Sequence, residues 1–122
     1  MFGDGSQTRD YVFVGDVARA VARAAGYSAP ASAGMDARAF NIGTGVPTSV
    51  LELARELMRA AGRDVPIEFA PKRPGEQQQS YLVVEKAASV LGWRPTVSLP
   101  QGLAQTYEWF GNRAAAAGKP NK

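Results

Sequence analysis

The chain has 122 residues, of which 45% are apolar and 20% are charged, an ordinary composition for a soluble globular protein with one modest core. It contains no cysteine and no histidine, which excludes disulfides, zinc sites of the Cys/His type and histidine acid–base chemistry. The lack of cysteine fits a cytoplasmic location, and no apolar run approaches the length of a membrane span.

The formal net charge of +3 is distributed along the whole sequence. Arginine and lysine are scattered over the predicted elements, whereas a nucleic-acid-binding protein usually clusters them on one element. We therefore expect solvated charged faces and anion binding at one or two points, with neither nucleic acid nor a membrane as partner. The carboxylates show no clustering that would predict a metal site.

The first half of the chain alternates predicted strands and helices. β-Branched and aromatic residues favour the first strand, helical spacing of apolar residues favours the first helix, and a capping box begins the second helix. In order, we predict a strand over residues 10–14, a helix over 17–25 with Asp16 as N-cap and Gly26 after it, a loop over 28–36, a strand over 39–42, and a helix that begins at the Ser49–Glu52 box and ends at Gly62.

The second half continues this alternation and ends in a long helix. Trp93 and Trp109 are predicted to pack in the core. In order, we predict a strand over residues 65–70, a polar loop over 71–79, a strand over 80–84, a helix over 85–91 and a last helix that begins at Ser98. Strands that alternate with helices indicate the α/β class, although the strands are few and short.

Three stretches have groups suited to a ligand. Arg9 lies where the first strand begins, Arg73 and Glu76 share the tight turn RPGE, and residues 43–45 form a Gly-Thr-Gly turn between a strand and a helix. A guanidinium grips phosphate with a planar fork, and a carboxylate can accept hydrogen bonds from both hydroxyls of a ribose. Two arginines and one carboxylate therefore suit a nucleoside diphosphate.

Each of these stretches also has a plain structural interpretation. Arg9 can be a solvated residue at a strand edge, and the RPGE stretch can be no more than a turn. The Gly-Thr-Gly stretch lacks the third glycine of a dinucleotide-binding turn, so a backbone turn is sufficient to explain it.

Four stretches, in this order, carry a resemblance to a known family: GDGSQTRDYVFVGDVARA, FNIGTGVPTSVLELAREL, RPGE and KAASVLGWRPTVSLPQGLAQTYEWF. Together they resemble the C-terminal third of the NAD-dependent nucleotide-sugar epimerases and dehydratases. These enzymes form the extended short-chain dehydrogenase/reductase family, and the UDP-glucose 4-epimerases are the closest type. The resemblance covers residues 2–110.

The resemblance implies an α/β fold that is the C-terminal substrate-binding portion of an extended Rossmann-type epimerase. We expect a small sheet with three to four helices and no N-terminal Rossmann core, so that the chain would be a fragment. Residues 1–112 would form the substrate-binding part, in which residues 36–62 resemble the edge strand and helix of the missing Rossmann sheet, and residues 113–122 would be a flexible tail. The last helix would cover three neighbouring strands, over residues 10–14, 80–84 and 65–70.

The resemblance also implies roles for single residues. In the family, the two motif arginines contact the diphosphate of a nucleotide sugar and the acid contacts its ribose, which implies these roles for Arg9, Arg73 and Glu76 toward a UDP-sugar. The catalytic Tyr-x-x-x-Lys of the family is not matched, because Tyr81 is followed at the fourth position by Glu85. We therefore expect no catalytic or cofactor-binding residue in this chain, no activity of the chain alone, and NAD only in the complete enzyme; no metal-binding residue is expected either. Cut off from the missing sheet, the strand over residues 39–42 and the helix after it would expose unpaired backbone groups and apolar side chains, so we also expect a homodimer.

The function that we expect is substrate binding within an NAD-dependent sugar-nucleotide epimerase. Two other interpretations stay open: a non-catalytic module that binds nucleotide sugars or anions, and an interaction protein that self-associates. The preferred base and sugar also stay open, because three glutamines follow Glu76. The sequence also departs from the family pattern at Gly15, where an acidic or bulkier residue usually stands.

Overall fold

Two short strands and four α-helices form the part of the chain that the computed structural model describes, residues 1–117. In order they are β1 (Thr8–Asp10), α1 (Val14–Ala25), a 3-10 helix (Met35–Arg38), β2 (Pro47–Ser49), α2 (Val50–Ala61), α3 (Glu85–Leu91) and α4 (Leu99–Ala117). Of the predicted tail, residues 113–117 belong to α4, and residues 118–122 lie outside the described residues. The small sheet with its helices agrees with the predicted fold class.

Strand β1 lies between β2 and the loop before residue 80. On one side it pairs antiparallel with β2, with Arg9 opposite Thr48. On the other side, Thr8 donates its amide to the carbonyl of Gln78 over 2.8 Å and accepts from the amide of Ser80 over 3.2 Å. Because β1 has neighbours on both sides, it joins the loop before residue 80 to the start of α2.

The predicted strands are displaced or absent, and β1 pairs with Pro47–Ser49, where no strand was predicted. Residues 11–13 have no pairing partner among the described residues and instead lead into α1, so the prediction of a strand over 10–14 is wrong beyond Asp10. The predicted strand over 65–70 shrinks to a single parallel bridge at Ala70, and residues 80–84 form no strand, because the bridge to β1 lies one residue earlier, at Gln79 in the predicted loop. β-Branched residues favour a strand only where a second backbone lies alongside.

Residues 39–42 also form no strand, which corrects another prediction. Their contacts are made by side chains: Phe40 and Ile42 pack against the core, and the Asn41 amide donates to the carbonyl of Val83 over 3.1 Å. An extended segment becomes a strand only when its own amides and carbonyls pair with another strand. No segment within residues 1–117 offers these residues such a partner.

The core lies between α1, α3 and the segment after α3. Ala20, Ala87, Leu91 and Trp93 are buried there, and Trp93 is only 2% exposed. The prediction that Trp93 packs in the core is confirmed. The same prediction for Trp109 is wrong: this side chain is 54% exposed on α4 and packs edge-to-face on Phe110, its neighbour in the sequence.

Asp16 anchors α1 to the segment after Trp93. We predicted it as the N-cap, but α1 begins at Val14 with Phe13 as N-cap, and Asp16 lies in its first turn. Its fully buried carboxylate accepts the amides of Thr96 and Val97 over 3.0 and 3.1 Å and pairs with Arg19 over 2.5 Å. The carboxylate therefore bonds a distant segment instead of capping its own helix.

Asp10 makes a second anchor of the same kind at the end of β1. Its Oδ1 accepts from the amide and the hydroxyl of Thr44 over 2.7 and 2.6 Å. Its Oδ2 accepts from the amides of Gly45 and Leu82 over 2.9 and 3.3 Å. Burial raises the pKa of Asp10, but these hydrogen bonds outweigh it and hold the pKa below its ordinary value of 3.8.

Helix α2 has the predicted bounds and caps. The hydroxyl of Ser49 accepts the amide of Glu52 over 3.1 Å, and Gly62 ends the helix with a left-handed φ of 61°. The helix packs against α4 of this same chain. Val50 and Leu53 are half-buried, and Leu57 is 41% exposed.

Asp16→Asn should destabilise the chain at neutral pH by about 1.5–3 kcal/mol, because the buried acceptor of two amides loses its charge. Burial raises the pKa of Asp16, but the hydrogen bonds from Val97, Thr96 and Arg19 outweigh it and lower the pKa below 3.8. The charged carboxylate thus stabilises the fold above that pH, and the contribution is lost as the pH falls through the lowered value. Urea unfolding at pH 7 and at several pH values below 4 measures both effects.

The control for this variant is Asp36→Asn, because Asp36 is fully exposed and its one ion-pair partner is Lys86. We expect it to change the free energy of unfolding by less than about 0.5 kcal/mol. Equal destabilisation by the two variants, or an Asp16→Asn variant whose deficit does not shrink in acid, would contradict the role assigned to Asp16.

Gly43→Ala should destabilise the chain by about 1–3 kcal/mol, since a Cβ atom at residue 43 would lie 2.5 Å from Oδ2 of Asp10 and force the anchor apart. Gly34→Ala is the matched control, because a Cβ atom there meets nothing within 4 Å. Urea unfolding compares the two. If Gly43→Ala were as stable as Gly34→Ala, the close packing around Asp10 would be refuted.

Candidate functional site

The guanidinium of Arg9 is held in place by hydrogen bonds from one of its nitrogens, Nη1. Arg9 lies on β1 and is half-buried, and its Nη1 donates to the carbonyls of Thr8 and Gln77 over 2.8 and 2.9 Å. The bond to Gln77 ties Arg9 to the loop that carries the second predicted motif. Among residues 1–117, no hydrogen bond engages Nη2 or Nε, so the other edge of the fork remains available.

Arg73 and Glu76 lie on a turn that the same loop forms. Gly75 has a φ of +75°, which favours glycine, and the amide of Glu76 donates to the carbonyl of Arg73 over 3.3 Å. The guanidinium carbon of Arg73 lies 3.7 Å from the centre of the Phe2 ring. Stacking on a ring face orients a guanidinium and leaves the hydrogen-bond donors in its plane free.

The structure brings the three predicted residues to one loop without pairing them with each other. The ion pairs within residues 1–117 join Arg19 to Asp16, Arg59 to Glu56, and Lys86 to Asp36. Arg9, Arg73 and Glu76 take part in none of these pairs. Arg9 is bonded to the residue that follows Glu76, and Arg73 and Glu76 share a turn, so none of these three charges is balanced by an ion pair within residues 1–117.

The Gly-Thr-Gly turn has the backbone role that the plain interpretation gives it. The amides of Thr44 and Gly45 both donate to the carboxylate of Asp10. Amides that cradle a phosphate must be free to donate to it. The turn therefore contributes to the fold of this surface, and two of its three amides are occupied.

Two contributors to the surface were missed from the sequence. Phe2 supports Arg73, and Asp10 holds both neighbours of β1. An acidic residue at the end of a strand, combined with a Gly-x-Gly turn elsewhere, is the only sequence signal for the Asp10 contact. Nothing in the local pattern around Phe2 predicts its contact with a residue 71 positions later.

Residues 1–117 contain neither a membrane-spanning helix nor a cluster of metal ligands. Across residues 1–117, every helix is too short or too polar to cross a bilayer. In the same range, acidic residues nowhere gather in the threes that a metal ion would need.

Comparison with known proteins agrees with the motifs. The model of the GDP-mannose 4,6-dehydratase family matches residues 1–106. The UDP-glucose 4-epimerase of Mycolicibacterium smegmatis is 47% identical over 114 residues, which are 93% of this chain and 34% of the relative.

Solved structures show the same relation. The UDP-glucose 4-epimerase of Thermotoga maritima, crystallised with UDP-glucose, is 39% identical with a TM-score of 0.77, over 93% of this chain and 35% of that one. The UDP-glucuronic acid 4-epimerase of Bacillus cereus, in complex with UDP-glucuronic acid and NAD, is 30% identical with a TM-score of 0.79, over 93% and 35%. The chain thus spans about a third of the length of these relatives. It belongs to the extended short-chain dehydrogenase/reductase family of nucleotide-sugar epimerases and dehydratases.

Proposed function

We propose that this chain binds the nucleoside diphosphate of a sugar nucleotide, as the substrate-binding part of an NAD-dependent sugar-nucleotide epimerase. Arg9 and Arg73 bind the diphosphate, and Glu76 binds the ribose. One observation carries the proposal: the hydrogen bond from Arg9 to the carbonyl of Gln77 joins β1 to the loop that bears the other two residues.

The geometry of Arg9 suits a diphosphate. Its Nη1 is held by two carbonyls, so the side chain has lost much of its freedom before a ligand arrives. The remaining donors, on Nη2 and Nε, form the edge of the fork that can bind two oxygens of one phosphate. A guanidinium that is already ordered loses less entropy on binding, which supports affinity.

Arg73 and Glu76 complete the proposed site from one turn. The ring of Phe2 supports the guanidinium of Arg73 from its face, which leaves its edge for the second phosphate. The carboxylate of Glu76, three residues later, can accept from the two hydroxyls of a ribose, and its residue is half-buried. The combination of two cations and one acceptor is the one that a nucleoside diphosphate requires.

The ligands of the related structures favour a UDP-sugar. The structure from Thermotoga maritima contains UDP-glucose, and that from Bacillus cereus contains UDP-glucuronic acid with NAD. We propose that UDP is the nucleotide for this chain as well. NAD belongs, in this proposal, to the complete enzyme, where it would carry the hydride during inversion at a sugar carbon.

The residues of this chain do not fit the binding of NAD by themselves. Two of the three amides of the Gly-Thr-Gly turn are bonded to Asp10, and the family's Tyr-x-x-x-Lys pattern is not matched in the sequence. This chain supplies the anchoring and orientation of the substrate. That the chain alone does not turn over sugar nucleotides stays a prediction, as does its cytoplasmic location.

A second candidate function, self-association, is favoured by exposed apolar side chains. Val14, Val21, Trp109 and Phe110 are each more than half exposed. A groove of about 720 Å³ between α2 and residues 65–68 is lined mainly by apolar groups, with Arg63 and Glu68 among its residues. Exposed apolar surface is a feature of interfaces and aggregation sites, which supports the proposed homodimer.

Arg73→Ala should weaken the binding of UDP to this chain by about ten- to a hundred-fold, because a charge-assisted hydrogen bond to phosphate contributes about 1.5–3 kcal/mol. Arg9→Ala should have a similar effect. Isothermal titration calorimetry with UDP at low ionic strength measures the dissociation constants.

The matched control is Arg59→Ala, because Arg59 lies on α2 and is paired with Glu56. We expect it to leave the dissociation constant for UDP within two-fold of the unsubstituted chain. If the variants at Arg9 and Arg73 bind UDP as well as the Arg59 variant does, the proposed function is wrong.

The chain should self-associate with rising concentration, since its exposed apolar residues gain by mutual burial. Light scattering between micromolar and millimolar concentrations gives the mass. Phe110→Lys, at a position 62% exposed on α4, should shift the association to higher concentration. A monomer mass at all concentrations, without binding of a dye specific for apolar surface, would refute this candidate.

A further inference from the structure

Arg9 and Asp10 are neighbours on β1 and have different partners. Successive side chains of a strand point to opposite faces. The guanidinium of Arg9 bonds the loop at Gln77, whereas the carboxylate of Asp10 bonds the turn at Thr44 and Gly45 and the amide of Leu82. The two side chains therefore act on different faces, and Asp10 is not placed beside the guanidinium edge that would meet a ligand.

The four hydrogen bonds to Asp10 nearly exhaust what a carboxylate can accept. Oδ1 takes two donors from Thr44, and Oδ2 takes the amides of Gly45 and Leu82. A carboxylate has about four acceptor positions on its two oxygens. Since an amide group in its place would present two N–H bonds to backbone donors, only a carboxylate satisfies all four partners at once.

Each group of donors to Asp10 leads to one side of β1. The turn at Thr44 and Gly45 continues directly into β2, which pairs with β1. The chain before Leu82 is the stretch of residues 77–80, which bonds Thr8 and accepts the hydrogen bond from Arg9. One carboxylate therefore fixes the spacing between β1 and both of its neighbours.

From this arrangement we infer that Asp10 is a positioning residue for the nucleotide site: by holding residue 82 against β1, it sets where the loop with Arg73 and Glu76 lies relative to Arg9. The inference rests on the proposed function of these three residues. Asp10 itself touches no ligand. It acts through the backbone of residues 77–82, to which the Arg9 guanidinium is bonded.

A purely structural role for Asp10 would have a different signature. In that case, loss of its charge would lower stability and leave the affinity of the folded chain for UDP unchanged. A positioning role also moves the loop, so the affinity falls even at temperatures where the variant is fully folded. Asp16 provides the comparison, because it is a buried carboxylate with two backbone amide donors at a place remote from the loop in the hydrogen-bond network.

The test uses the 122-residue chain, with UDP as the probe and nitrogen-15 labelling. Asp10→Asn should raise the dissociation constant for UDP about ten-fold and shift the amide signals of residues 77–80 before any UDP is added. Asp16→Asn, compared at a temperature where both variants are folded, should leave both observations as in the unsubstituted chain. Thr44→Val removes only the hydroxyl donor to Asp10. It should raise the dissociation constant for UDP and shift the amide signals of residues 77–80, each by less than Asp10→Asn does.

Each outcome decides one part of the inference. If folded Asp10→Asn binds UDP within two-fold of the unsubstituted chain, or if its amide signals at residues 77–80 do not move, Asp10 is not a positioning residue. If Asp10→Asn does not fold, Thr44→Val decides by the same two criteria. If the unsubstituted chain does not bind UDP at all, the proposed function fails, and the amide signals still show whether Asp10 sets the position of the loop.

Discussion

The positions of the two segments beside β1 depend on the carboxylate of Asp10. It joins β1 to residues that lie 34 and 72 positions later in the chain. The two strands are three residues long, and a ladder of that length is marginal by itself. Four hydrogen bonds to one charged acceptor contribute what the short ladder cannot, since bonds to an ionised group are about twice as strong as neutral ones. Asp16 does the same for α1, bonding a segment 80 positions away.

The helices could be predicted from the sequence and the strands could not, for a physical reason. A helix is bounded by local signals: Ser49 caps the start of α2, and the left-handed glycines Gly62 and Gly92 end α2 and α3. A strand needs a partner that is distant in sequence. Residues 10–14 and 39–42 have strand-forming side chains, yet only Asp10 among them pairs in the described sheet. Their apolar side chains pack against helices and the core instead.

The residues of the proposed binding surface could be predicted from the sequence, but the contacts that position them could not. Side chains suited to a diphosphate are visible in the sequence, and Arg9, Arg73 and Glu76 follow from the motifs. The contact that brings them to one loop is a carbonyl of Gln77, and backbone groups carry no sequence signal. Asp10 accepts hydrogen bonds from three backbone amides and one hydroxyl. These donors lie far from Asp10 in the sequence, and no sequence pattern predicts that they meet it.

The arginines of this chain differ in their partners within the fold. Arg19 and Arg59 are paired with carboxylates, and Arg23 donates to the last carbonyls of α3 over 3.1 and 2.8 Å. Arg9 and Arg73 differ from them, because they are held by carbonyls and by a ring and take part in no ion pair within residues 1–117. The backbone amides of residues 44 and 45 are occupied by Asp10. In the proposed site, attraction for a diphosphate therefore falls to side-chain cations, and the hydrogen bond from Arg9 to Gln77 ties one of them to the loop that bears the other.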